Sequence, residues 1–364
     1  MVRRVLTVLP SWTVSVPLAA AVLLAFVWGR HPGVKLAVVI AVALAAAVLA
    51  AVHHAEVVAH RVGEPFGSLI LAVAVTVIEV ALIVTLMISG GPETASLARD
   101  TVFAAAMITT NGIVGLCLFV GALRTGLAVF NAEGTGAALA TVATLATMCL
   151  VLPTFTTSRP GPEFSSAQLA FAAVVSLLLY GLFVVTQTVR HRDFFLPVET
   201  DTPQPDAHAA PPSNRKAWTS LALLLVALVG VVGLAKVESK SIEDGLAAIG
   251  LPHAFVGVVI ALLVLLPESI AAVRAALRDQ VQISLNLALG SAMASIGLTI
   301  PTIAIASIWL DGPLLLGLGP TQMVLLALTV VVGVLTVVPG RATRMQGGVH
   351  LVLLAAFIFL AINP

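Results

Sequence analysis

Two glutamates occupy positions where an acid is costly. Glu79 sits in Ala74-Val75-Thr76-Val77-Ile78-Glu79-Val80 and Glu268 in Leu265-Leu266-Pro267-Glu268-Ser269, each the one carboxylate of a long apolar run. An ionised carboxylate at the centre of a bilayer costs at least about 2.5 kcal/mol on insertion scales, so an acid there is a functional hypothesis by default. Two carboxylates joined by hydroxyl and carbonyl oxygens make a hard-oxygen donor set, which suits calcium or sodium and not soft metals. Thr76, one helical turn before Glu79, adds a hydroxyl; Asn111, Asn286 and Ser291 are candidate neutral ligands. Pro267 predicts a helix break beside Glu268 whose freed carbonyls could line a cavity. The structural alternative is a protonated glutamate that bridges two helices by a hydrogen bond.

A second constellation is His53, Glu56 and His60, spaced i, i+3, i+7 so that they can share one helix face. The chemistry open to it is a proton relay, pH sensing or metal binding. The HExxH pattern of a metalloprotease is absent.

The elements that must carry these residues follow from composition. Of 364 residues, 59% are hydrophobic and 10% charged, where soluble globular proteins run at about 45–50% and about 25%. That excludes a soluble enzyme. A secreted disulfide scaffold is excluded because Cys117 and Cys149 both lie inside apolar runs, and the net charge of +1 argues against a nucleic-acid partner. The expected partners are the lipid bilayer and inorganic ions, with no cofactor.

Apolar windows long enough to cross about 30 Å of hydrocarbon predict an all-α polytopic membrane protein of about 11 transmembrane helices. Residues 1–33 form a leading transmembrane helix, read as retained because Trp28-Gly29-Arg30-His31 and no small-residue cleavage site follows it. Residues 34–189 and 217–364 hold five spans each. Between them, 190–216 carries five prolines, no apolar periodicity and charges of both signs, the composition of a flexible linker. Lys and Arg favour the segments on the side of the N-terminus by two to one, which puts the N-terminus and the linker in the cytoplasm and the C-terminus outside.

The two halves repeat. Arg99-Asp100-Thr101-Val102 matches Arg278-Asp279-Gln280-Val281, each opening a span rich in small residues, and Glu79 and Glu268 fall in the spans before them. The paired spans are an odd number apart, so they cross in opposite directions: two five-helix inverted-topology repeats, the architecture of many secondary transporters.

Gly63-Glu64-Pro65-Phe66-Gly67 running into Ala74–Ile83 resembles the first signature repeat of bacterial ChaA-type calcium/proton antiporters, within the calcium/cation antiporter superfamily. Leu266–Ser269, Ser284–Ala292 and Ala294–Pro301 resemble the second. The resemblance implies ten core helices plus a leading one in the bacterial inner membrane, and export of calcium in exchange for protons. It puts Glu79 and Glu268 at the superfamily's central cation-binding acids. Where the superfamily often has Gly-Asn ahead of each acid, this chain has Val75-Thr76 and Val264-Leu265, which leaves sodium or potassium as the alternative cation. A cation channel, which more often uses rings from several subunits, and an intramembrane enzyme, which needs a nucleophile or ligated metal, fit the residues less well.

Overall fold

A computed structural model describes residues 11–30, 32–63, 66–198, 212–248, 250–309 and 312–364. Arg3, Arg4, Glu64, Pro65 and the central part of the expected linker, 199–211, lie outside the described residues.

The chain is helical almost throughout. In order it forms α1 (Trp12–Val27), α2 (Val34–Val62), α3 (Phe66–Gly90), α4 (Leu97–Met107), α5 (Val114–Thr125), α6 (Ala132–Ala146), α7 (Leu152–Phe155), α8 (Ser166–Val185), α9 (Asn214–Ala248), α10 (Phe255–Leu277), α11 (Val281–Ala306), α12 (Pro320–Val337) and α13 (Arg344–Ile362). Single π-helical turns join α4 to α5 at Ile108–Ile113 and α6 to α7 at Thr147–Val151, so each pair makes one span. Among the described residues ten helices are long and apolar enough to cross a membrane, and α1 is a shorter apolar helix ahead of them. This is the expected all-α membrane architecture.

The helices group into two compact units: Met1–Gly90 with His208–Gly245, and Gly91–Ala207 with Leu246–Pro364. In the first, α2 packs on both α1 and α3. Small residues set the approach of α9 to α1: a Cβ on Gly230 would stand 3.3 Å from that of Ala20, and Gly233 faces the Leu24 side chain. Without a hydrophobic driving force between helices in lipid, such close contact supplies the dispersion energy.

In the second unit α11 is central, packing on α8, α6, α10 and α4, and α13 packs on α5. Glycine again permits the contacts. A Cβ on Gly347 of α13 would be 2.6 Å from the Phe119 nitrogen, and one on Gly257 of α10 would be 2.7 Å from the backbone of Asp100 and Thr101. A two-residue antiparallel pairing of Ala128–Val129 with Arg341–Ala342 ties the ends of α5 and α12.

Three expectations change. Pro267 does not break its helix; α10 runs on from Phe255 to Leu277, held by α4, α5 and α11 packed along it. The backbone irregularity falls instead at Ile108–Ile113, where the Thr109 and Thr110 hydroxyls donate to the carbonyls of Ala105 and Ala106 and compete with the helical ladder. The linker also starts later than composition implies. Arg192–Phe195 form a 3-10 turn, with Phe195 buried edge-on against Phe183. At the far end of the linker, α9 already begins at Asn214.

Candidate functional site

In the first unit, α3 buries Glu79 (3% exposed) and, one turn earlier, Thr76 (6%) on a helix otherwise made almost entirely of apolar side chains. Residues three apart share a helix face. The Thr76 hydroxyl has no hydrogen-bond partner among the described residues. An uncompensated buried hydroxyl costs about 1–3 kcal/mol by mutational measures, so this one is held at a cost. Carboxylate and hydroxyl together present hard oxygens in an apolar wall.

In the second unit, α10 buries Glu268 (8% exposed) directly after Pro267. Its neighbour Ser269 donates its hydroxyl to the Leu265 carbonyl at 2.7 Å and so is already used.

The amides are spoken for as well. Asn111, fully buried in the π turn, donates through Nδ2 to Thr329 Oγ1 at 2.9 Å, and its Oδ1 lies 3.1 Å from His350 Nδ1. Asn286 donates to the Phe195 carbonyl at 2.6 Å and accepts from Gln282 at 2.8 Å. It therefore pins the start of the linker segment to α11. Ser291 is half-buried in α11.

The matched Arg-Asp pairs differ in conformation. Asp100, in the first turn of α4, accepts from Arg99 and from Ser96, each at 2.8 Å, as a carboxylate at a helix N-terminus should. Arg99 also donates to the Gly317 carbonyl at 3.2 Å. Asp279 instead takes a left-handed φ of 67° in the turn between α10 and α11.

The three residues of the histidine cluster lie on the continuous helix α2. Glu56 and His60 are exposed on α2 and His53 is half-buried, while the buried member is its neighbour His54. His54 Nε2 lies 2.8 Å from the Thr13 carbonyl of α1. Among the described residues no group of three His, Cys, Asp or Glu is arranged to hold a metal ion.

Two buried ionisable groups escaped the sequence reading. His350 of α13 is 2% exposed, hydrogen-bonded to Asn111 and, through Nε2 at 3.2 Å, to Thr336. It borders a cavity of about 20 Å³ with Thr110, Thr135 and Thr329, room for about one water molecule. A lone histidine in the apolar run Val349-His350-Leu351 was a visible signal, since an intramembrane ionisable residue is rare. Glu238 of α9 is 3% exposed, and its Oε2 has no hydrogen-bond partner among the described residues. Lys236 and Lys240 suggest a loop there, but the helix continues to Ala248 and turns those two lysines outward.

The model of the sodium/calcium exchanger protein family matches residues 33–189 and 219–363, two stretches that together cover most of the chain. The chain belongs to that family. A relative from Sinorhizobium fredii, the putative ionic transporter y4hA, is 45% identical over 98% of this chain and 97% of its own length. The sodium-potassium/proton antiporter ChaA of Escherichia coli is 35% identical over 94% of this chain and 93% of its own. The solved structure of native YfkE superposes with a TM-score of 0.71 at 16% identity, covering 97% of this chain and 99% of that one. Membership in the exchanger family makes the chain a cation antiporter of the calcium/cation antiporter superfamily.

Proposed function

We propose that the protein exports calcium from the cytoplasm in exchange for protons by alternating access, with Glu79 and Glu268 carrying the exchanged ions. The observation behind this reading is that Glu79 in the first compact unit and Glu268 in the second are each buried in an apolar span. Two carboxylates are neutral with two protons and neutral again around one divalent cation. Deprotonated and empty they bear two negative charges, which a low-dielectric interior penalises. Only the loaded states then interconvert cheaply between inward- and outward-facing forms, and that restriction couples the two fluxes. The N-terminus is proposed to be cytoplasmic in the inner membrane, and residues 34–189 and 217–364 to act as the inverted halves.

A second reading, sodium or potassium exchanged for protons, has specific support. Calcium takes about 6–8 oxygen ligands, yet the amides of Asn111 and Asn286 are committed to other side chains and backbone. The 35% identical relative is a sodium-potassium/proton antiporter. Reconstituted vesicles carrying a pH-sensitive dye test both readings. Calcium, sodium and potassium are added in turn to wild type, Glu79→Gln and Glu268→Gln. Proton movement triggered by one of these ions in wild type and lost in both variants supports the site; the ion that triggers it chooses the reading. A variant that transports at the wild-type rate removes its glutamate from the mechanism.

A further inference from the structure

Glu238 is a third buried acid, outside the pair proposed to carry the exchanged ions. It is 3% exposed, and among the described residues its Oε2 has no hydrogen-bond partner and its carboxyl no ion pair. An unpaired carboxylate is costly in such a place, so the form held there is the neutral acid. Ser220 precedes it by five helical turns, and both stand on one buried stripe of α9 with Ala227, Val231 and Leu234. Lys236 and Lys240 are exposed two residues to either side, with Lys236 Nζ 5.5 Å from the centre of the Trp28 ring. Residues two apart stand about 200° apart around a helix, so these lysines occupy the opposite face. A lysine keeps its ammonium in water. Glu238 is therefore buried at a level where water lies one helix width away, about 10 Å.

The repeat supplies a counterpart. α2 and α9 open the two stretches matched by the family model. Glu56 stands six residues before the end of α2 and Glu238 ten before the end of α9, a difference of about one turn, which keeps the helix face. The two acids lie at opposite ends of the first unit. Arg61, just after Glu56, donates to Asn214 Oδ1 at 2.7 Å, and Asn214 is about 36 Å along α9 from Glu238 at 1.5 Å per residue. One acid is exposed and the other buried. The remaining charged and titratable groups near Glu238 are few. On α9 they are Lys236, Lys240 and Asp244, all exposed, and on α2 the exposed Lys35 at its start. His53, His54, His60 and Arg61 belong to the far end with Glu56, α1 contributes none, and α3 has only Glu79.

We propose that Glu238 is a proton-carrying residue of the exchange: its carboxylate takes a proton from water on the side where α9 ends, holds it as the neutral acid while buried, and releases it inward. This rests on the cation/proton reading above and not on which cation is exchanged. The test uses the full chain in vesicles whose two sides are set to different pH, with orientation fixed by thiol labelling of Ser213→Cys. Wild-type cation-triggered proton movement should slow severalfold as the pH on the side where α9 ends rises from about 6.5 to about 8.5. Glu238→Gln and Glu238→Leu have no proton to give, so exchange should slow at least about tenfold and lose that pH dependence. Glu238→Asp keeps an acid and should restore part of both. Lys240→Gln, on the opposite face of the helix, should keep the wild-type dependence. Glu238→Leu only removes a polar group from an apolar stripe, so it should melt in detergent at or above the wild-type temperature, and misfolding does not hide the answer. A folded Glu238→Leu protein with the wild-type pH dependence overturns the proposal. So does a Glu238→Asp protein no better than Glu238→Gln, which would make the residue a packing element. Those outcomes remove this inference alone, whereas a wild type that moves no protons with any cation removes the exchange reading and this inference with it.

Discussion

His350 and Asn111 are 239 positions apart in the chain, yet His350 Nδ1 lies 3.1 Å from Asn111 Oδ1 with both side chains buried. The contact joins α13 to the π turn between α4 and α5, and Asn111 extends it through Thr329 to α12. Three spans are thereby cross-linked by neutral hydrogen bonds at a place where the backbone leaves regular helix. A residue expected from its type to bind a cation is in this fold part of a structural network.

That network predicts a stability effect. Asn111→Leu strands the His350 and Thr329 polar atoms in an apolar interior and should destabilise the protein by about 1–3 kcal/mol, read as a lower melting temperature in detergent. His350→Leu should cost a similar amount. The double variant should cost clearly less than the two single losses added together, because it leaves fewer stranded partners. Strict additivity would mean the two residues act independently.

Gly257 and Gly290 make a matched pair of tests. A Cβ at Gly257 would meet the Asp100 and Thr101 backbone at 2.7 Å, whereas one at Gly290 has nothing within 4 Å. Gly257→Ala should therefore push α10, the helix that carries Glu268, off α4, lowering both thermal stability and transport. Gly290→Ala should match wild type in both, or gain slightly in stability from helix propensity. Equal behaviour of the two variants would contradict the packing described for α10.

Thr76 separates a ligand from a packing residue. Its hydroxyl is buried without a hydrogen-bond partner among the described residues, so Thr76→Val keeps the shape and removes a polar atom that costs stability where it is. The variant should be as stable as wild type or more so, and its apparent affinity for the transported cation should fall. Unchanged affinity would assign Thr76 to packing alone.

Topology can be read with thiols. Both native cysteines, Cys117 and Cys149, are fully buried, so introduced ones report cleanly. Ser213→Cys, at the exposed start of α9, and a cysteine appended after Pro364 should label from opposite faces of the membrane. Labelling from one face would remove the inverted arrangement of the halves.

Much of this was legible in the sequence because hydrocarbon imposes a coarse rule: a span needs length and apolarity, and an acid inside it stands out. The runs around Glu79 and Glu268 obeyed that rule; the leading helix, expected within residues 1–33, forms at Trp12–Val27 and is shorter than the ten spans. What the sequence hid depends on which way a side chain faces. Glu238 lies between exposed lysines and was lost in an average over both sides of α9, although it follows Ala227, Val231 and Leu234 down one buried stripe. Asn111 and Asn286 have the right chemistry for a cation, but only coordinates reveal that Thr329, His350, Gln282 and Phe195 already hold them. Pro267 has a strong local tendency to break a helix, and packing overrode it.

Competition between protons and cation tests the central claim most directly. The half-saturating concentration of the transported cation should be measured in vesicles from about pH 6.5 to about pH 8.5 on the side where it binds. If Glu79 and Glu268 carry both kinds of ion, affinity weakens steadily as pH falls, with a slope approaching two protons per divalent cation or one per monovalent cation, and the dependence disappears together with transport in Glu79→Gln and Glu268→Gln. Half-saturation that stays constant across this range while transport continues would contradict a site shared by protons and cation.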